Sequence, residues 1–138
     1  MADRTLTVDI VTPERVVLSE SAVYVRAPGV DGSFGILPNH APMLAELKAG
    51  ELDFRKQNGQ EVRLAVSSGF LQVFDNLVTV LADAAERLEE IDVDRARRAL
   101  EAARADLRAA QASYDPDRLA AAQSAFERAQ NRIRVAGS

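Results

Sequence analysis

The sequence predicts a β + α chain: an N-terminal antiparallel β-sandwich or flattened barrel, then a C-terminal antiparallel two-helix hairpin. Three observations carry this. From Thr5 to about Ala82 the apolar residues recur with period two, the mark of strands with one buried face. Turn signals fall between those runs, at Thr12-Pro13, Asn58-Gly59, Ser67-Ser68-Gly69 and Asp75-Asn76. After Ile91 the period becomes helical, with one large and one alanine position in every seven residues. The expected division is a sandwich over residues 1–87 and a hairpin over 88–138.

The strands can be taken in order. Leu6, Val8 and Ile10 alternate with Thr5, Thr7 and Asp9; Val23 and Val25 alternate with Tyr24 and Arg26. Leu52 and Phe54 form the same pattern, as do Val62, Leu64 and Val66. Asn58-Gly59 between these last two runs is the strongest hairpin signal, because a type I′ turn needs φ > 0 at both central residues. Val78 and Val80 alternate with Leu77, Thr79 and Leu81, so this strand is expected to be covered on both faces.

Asp92 is placed to cap the first helix, with Asp94 in its first turn beside the positive end of the helix dipole. That helix is expected to reach about Ser113. Asp115 caps the second, Pro116 stands at its first position, and it runs to about Val135 before Ala136-Gly137-Ser138 frays. Val93, Leu100 and Leu107 repeat every seven residues, with Ala96, Ala103 and Ala110 between them. Leu119, Phe126 and Ile133 repeat likewise, with Ala122, Ala129 and Ala136 between. Large residues seated over facing alanines give a close antiparallel pair. A hairpin of this size is marginal alone, so it is expected to depend on docking, either as a permanent cap on the sandwich or as a movable element.

The 138 residues carry a net charge of −4, with no cysteine and one histidine. No disulfide framework or thiolate chemistry is available. Met1 to Arg4 lack a signal pattern, and no uncharged apolar run approaches the ~20 residues of a membrane helix. Any membrane association is therefore expected through partners. Residues 1–91 hold 8 basic and 14 acidic groups, whereas 92–138 hold 9 arginines against 7 acidic groups. An arginine-bearing tail on an acidic protein suits an acidic protein surface or a polyphosphate, not nonspecific nucleic acid.

Gly29-Val30-Asp31-Gly32-Ser33-Phe34-Gly35-Ile36-Leu37-Pro38-Asn39-His40-Ala41-Pro42 is the densest punctuation in the chain. It reads as a tight strand–turn–strand loop presenting Asn39 and His40 at its tip. Its spacing matches neither a Walker loop nor a dinucleotide fingerprint. His40 has no clustered partner, so no metal site is expected, and the serines at 19, 21, 33, 67 and 68 lack a base apart from it. Glu89-Glu90 reads as a solvated linker. No catalytic set emerges.

Gly-x-Phe-Gly-Ile-Leu-Pro-x-His-Ala-Pro at residues 32–42 resembles the hallmark of the epsilon subunits of rotary proton-translocating ATP synthases, the delta subunit in mitochondrial naming. Leu6–Arg15 resembles that family's first strand and turn, and Ile91-Asp92-Val93-Asp94-Arg95-Ala96 its Ile/Leu-Asp-x-x-Arg-Ala motif. The likeness runs essentially from end to end. It implies a non-catalytic central-stalk subunit at the cytoplasmic face of a bacterial inner membrane or an equivalent coupling membrane. It also implies a sandwich gripping the gamma subunit, and a loop at Asn39, His40 and Pro42 on the c-ring. The hairpin would restrain ATP hydrolysis in an extended state, docking Arg97, Arg98, Arg104 and Arg108 among the alpha and beta catalytic subunits. No cofactor is required. In some bacterial members the hairpin binds ATP as a regulatory ligand; carried over, that site is Glu86, Asp92, Arg95, Arg128 and Arg132. Arg128 and Arg132 lie four apart, on one helix face. Ala102 stands near the place of a further basic residue in the known binders, and Asp92 reads equally as a plain helix cap. The rival reading is a free-standing ATP-binding, sensing module.

Overall fold

The computed structural model describes residues 5–137; the expectations for Met1–Arg4 and for fraying at Ser138 lie outside them. The chain divides into two compact units between Leu88 and Glu89.

The first unit holds β1 (Leu6–Val11), β2 (Val16–Ala22), β3 (Tyr24–Gly29), β4 (Gly32–Ile36), β5 (Met43–Leu47), β6 (Gly50–Arg55), β7 (Glu61–Val66), β8 (Gly69–Phe74), β9 (Leu77–Ala82) and β10 (Ala85–Arg87). They pair in the order β10-β7-β6-β3-β5-β8-β9-β1-β2, with β4 on β3. A single residue pair, Gly29 with Leu47, joins β3 to β5. There the sheet folds over into two layers around one core. Leu6, Val8, Ile10, Val25, Leu52, Phe54, Leu64, Val78 and Val80 meet in that core, and Leu71 and Val73 of β8 complete it. These are the inward members of the alternating runs, so the period-two reading located the core.

The first unit departs from the expectations at four points. β1 pairs in parallel with β9, so the sandwich is not wholly antiparallel. β9 is not covered on both faces, because Leu77 and Leu81 are exposed. Asn58-Gly59 is not a two-residue turn: the Gly59 N–H donates to the Lys56 carbonyl at 3.0 Å, the Lys56 N–H to Gln60 at 2.8 Å, and only Gly59 has positive φ there. Strand pairing continues past Arg55 and Glu61, which leaves a three-residue loop with Gly59 in the left-handed position. The type I′ turn falls instead at Asp75-Asn76, where both central residues have positive φ, 49° and 61°.

The fourth departure concerns the glycine-rich stretch. β3 and β4 form a hairpin whose turn is Val30-Asp31, set by the Gly29–Gly32 pair. Gly32 sits at φ 127°, a conformation that favours glycine. A Cβ at Gly35 would come within 2.6 Å of the Tyr24 hydroxyl oxygen, so that ring lies against bare backbone. Asn39 and His40 are not at the hairpin tip. They lie at the other end of β4, in the loop to β5, because Pro38 and Pro42 have no N–H to extend a ladder.

A short 3₁₀ turn at Leu88–Glu90 spans the division, and the second unit then holds α1 (Val93–Ser113) and α2 (Pro116–Ala136), packed as a hairpin. The Asp92 carboxylate accepts from the Arg95 N–H at 3.0 Å. Asp115 accepts from the N–H groups of Asp117 and Arg118. Tyr114, at φ 55°, closes α1 with a left-handed residue. The seam differs from expectation in its large members. Ala96, Ala103, Ala110, Ala122 and Ala129 are buried, whereas Val93, Leu100, Leu107, Leu119, Phe126 and Ile133 are half-buried and Ala136 is not in the buried set. Asn131 and Val135 are buried instead. Alanines on the line of closest approach let the backbones draw together, and longer side chains must then splay to the flanks.

The seam is sensitive to volume. Ala103→Leu should lower the thermal stability of the helices by about 1–3 kcal/mol through overpacking, followed by circular dichroism on the full chain. Ala102→Leu, one residue away on an exposed position, should leave it within about 0.5 kcal/mol.

Candidate interaction surface

Each strand of the sandwich buries one face, so its chemistry toward partners is written on the other. On the layer built from β5, β8 and β9 the outer face exposes five large apolar side chains, with Glu46, Gln72 and Thr79 among them. Register sets Phe70 opposite Leu81 and Phe74 opposite Leu77, with Leu44 opposite Gln72. These side chains are open to solvent: Leu44 is 71% exposed, Phe74 62% and Leu81 55%. Five large apolar residues on adjoining strands make a strip of the kind that marks a protein contact.

The loop at residues 37–42 adjoins that strip. The Asn39 N–H donates to Asn76 Oδ1 at 2.6 Å, and Asn76 Nδ2 donates to Asn39 Oδ1 at 3.3 Å. Asn76 stands next to Leu77, and Pro42 leads into β5 one residue before it begins. The His40 N–H donates to the Leu37 carbonyl at 3.2 Å. The His40 ring Nδ1 lies 2.7 Å from the Ala41 carbonyl oxygen, which makes His40 part of the loop's own scaffold. Leu37 is exposed, so the loop extends the apolar surface.

The opposite layer is charged. Arg26 on β3 donates through Nε and Nη2 to Asp53 on β6, at 3.1 and 2.6 Å. Arg63 on β7 donates through Nε to Glu51 at 3.1 Å, and Arg26 also approaches Glu51 at 3.8 Å. These residues, with Tyr24, Arg55 and Glu61, line a cleft of ≈ 380 Å³. Burial opposes the Glu51 carboxylate, but the Arg63 hydrogen bonds and the Arg63 and Arg26 charges outweigh it and hold its pKa below the ordinary range. Burial pushes Asp53 up, Glu51 adds to the push, and Arg26 offsets only part of it. Balanced, mutually bonded charges tie three strands together and leave no acid or base poised for chemistry.

The residues singled out on the hairpin are distributed unevenly. Asp92 serves as helix cap. Glu86 lies in the middle of β10, paired with Ala65, in the first unit. Arg97, Arg104 and Arg108 fall within about 40° of one another around α1, whereas Arg98 is about 100° from Arg97. Arg97 approaches Asp94 at 4.0 Å. Arg104 bonds Glu101 at 3.2 Å and lies 6.0 Å from the Phe126 ring centroid. Taking Arg104 and Phe126 as level in the antiparallel pair, Arg132 stands near the level of Arg98 and Arg128 near that of Ala102. Arg95 is then about one turn from Arg132 and two turns from Arg128 along the axis. Arg128 and Arg132 are half-buried, while Arg95, Arg98 and Arg108 are exposed.

Sequence reading missed the apolar strip and the charged cleft. One signal was present for the strip: Phe70-Leu71-Gln72-Val73-Phe74 and Leu77–Leu81 carry apolar residues on both alternating sets. The cleft required strand order. Among the described residues no three His, Asp or Glu side chains group as metal ligands, and no helix is long and apolar enough to cross a membrane.

A two-layer β body with an apolar docking face, carrying a hairpin of helices, defines a binding subunit as its class. The family described as "ATP synthase, Delta/Epsilon chain, beta-sandwich domain" matches residues 5–88, and "ATP synthase, Delta/Epsilon chain, long alpha-helix domain" matches 89–137. The chain is 49% identical over 136 residues to an ATP synthase epsilon chain of Nitratidesulfovibrio vulgaris, covering 99% of this chain and 98% of that one. It is 51% identical over 139 residues to the epsilon chain of Symbiobacterium thermophilum, covering 100% and 96%. A Euglena gracilis mitochondrial ATP synthase structure, comprising OSCP, F1 and c-ring, contains a chain of the same fold, with TM-score 0.76, 24% identity and coverage of 95% and 81%. The chain belongs to the ATP synthase delta/epsilon family, as a non-catalytic subunit of a complex whose catalysis lies in other chains.

The charged cleft makes a pH-dependent prediction. Glu51 has a depressed folded pKa, so its pairing stabilises above the unfolded carboxylate range and is lost as pH falls through the folded value. Arg63→Ala should therefore cost about 1 kcal/mol near neutral pH, read by urea unfolding, and progressively less in acid. Carboxyl NMR should show Asp53 taking up its proton at higher pH than Glu51.

Proposed function

We propose that this chain is the central-stalk subunit that joins rotor to catalytic head. The exposed apolar strip, Leu44, Phe70, Phe74, Leu77 and Leu81, carries that reading. A face of this kind in a chain of net charge −4 needs a partner to cover it, and the gamma subunit is that partner. The loop with Asn39, His40 and Pro42 is continuous with the strip. One rigid surface thus meets the stalk along its length, with the c-ring at a loop end of the sandwich. Through these contacts the chain sits peripherally at the cytoplasmic face of a bacterial inner membrane and passes torque between proton flow and ATP synthesis.

The hairpin restrains hydrolysis. Its large apolar residues are half-buried at the flanks of an alanine seam, so docking elsewhere costs little internal packing. Arg97, Arg104 and Arg108 form one basic stripe suited to acidic loops of the alpha and beta subunits, and the contact is steered by charge and weakened by salt. ATP is a regulatory ligand of the same hairpin. Arg132 and Arg95 lie within a triphosphate's reach in the antiparallel register, and Arg128 continues the line.

Three measurements test these statements. Leu44→Asp with Leu81→Asp should abolish co-purification with a gamma-containing assembly on washed membranes; retained binding would refute the docking face. Deleting residues 92–138 should raise the ATPase activity of the reconstituted complex, and unchanged activity would remove the inhibitory role. Wild-type chain should give binding heat with ATP that Arg128→Ala with Arg132→Ala removes; no heat from the wild type would exclude the regulatory ligand.

A further inference from the structure

Asn39, Asp75 and Asn76 are three of the four non-glycine residues with positive φ among the described residues, at 68°, 49° and 61°. Two of these left-handed residues, Asn39 and Asn76, are bonded to each other. Asn76 is the second central residue of the type I′ turn between β8 and β9, where glycine is the usual occupant because the position demands φ > 0. For the turn alone, glycine would serve better. Asparagine tolerates the left-handed region and also carries both a donor and an acceptor. Here both are used: Oδ1 accepts from the Asn39 N–H at 2.6 Å, and Nδ2 donates to Asn39 Oδ1 at 3.3 Å. The Asn76 carbonyl meanwhile accepts from the Thr7 N–H at 2.8 Å, which pins the turn to β1.

The loop needs such a tether. β4 pairs only with β3, in the charged layer, whereas β5 pairs chiefly with β8, in the apolar layer. Residues 37–42 therefore cross from one layer to the other between two ladders. Pro38 and Pro42 have no N–H to offer, and the His40 N–H turns inward to the Leu37 carbonyl.

We propose that Asn76 is a positioning residue: its amide clasps Asn39 and holds the loop at residues 37–42 in line with the apolar strip, so that loop and strip meet the partner as one preformed surface. This rests on the docking reading given above. With the clasp the loop is ordered before association; without it, ordering must occur on docking and weakens the contact.

The test compares the full-length wild type with Asn76→Gly and Asn76→Asp. Glycine keeps the turn conformation and removes the amide. Aspartate keeps the acceptor for the Asn39 N–H and tolerates positive φ. Three quantities are read: amide hydrogen exchange at Asn39 in the free chain, thermal midpoint, and affinity for an assembly that holds gamma and the c-ring and is stripped of this subunit. Asn76→Gly should leave the midpoint close to wild type, accelerate exchange at Asn39 about fivefold to tenfold, and weaken docking by a similar factor. Asn76→Asp should restore slow exchange and most of the affinity. Unchanged exchange in Asn76→Gly would overturn the clasp. Fast exchange with undiminished docking would overturn its positioning role. If wild type itself does not bind the stripped assembly, the docking reading fails and the positioning role falls with it, while the exchange data still report whether the clasp exists.

Discussion

The sandwich depends on one join. The Gly29–Leu47 pair is the only rung between β3 and β5, and there a single run of strands doubles back on itself. Each strand must then give one side chain set to a shared core and leave the other outside. Burying Phe54, Leu52, Leu64, Leu71 and their neighbours stabilises the body by about 1.5–3 kcal/mol apiece. It also frees the outer faces to differ. One became a ladder of mutually bonded arginines and carboxylates that ties β3, β6 and β7 together. The other became a bare apolar strip, costly in a lone chain and useful in an assembly.

The helical unit solves a different problem. A pair of helices with alanines along the closest line packs tightly but buries little area, since each alanine contributes few carbons. The larger residues, pushed to the flanks, keep part of their surface available. Such a hairpin closes on itself without committing all its apolar surface. It can offer a basic stripe on one side and half-buried hydrophobes on another.

The loop at residues 37–42 links these themes. Its motif is local and dense, so it is conspicuous in the sequence, yet its position is set by a turn 37 residues away. Conformations that cost energy, the left-handed Asn39 and Asn76, are concentrated where the loop is fastened. Strain of that sort persists only where surrounding contacts over-determine it, and here those contacts orient a surface instead of a reacting group.

The sequence alone determined the period-two core, the bounds and caps of both helices, the alanine seam and the motif at residues 32–42, because each is written in neighbours close along the chain. Asp92, Asp115 and Pro116 need only their own helix turn to act. The tertiary structure decided which outer face is charged and which is bare, the parallel pairing of β1 with β9, the displacement of the type I′ turn to Asp75-Asn76, and the clasp on Asn39. Those depend on which strand lies beside which and in what register, and that is settled by packing of all inward faces at once. Local alternation says that a residue points outward; only the assembled sheet says what it points beside.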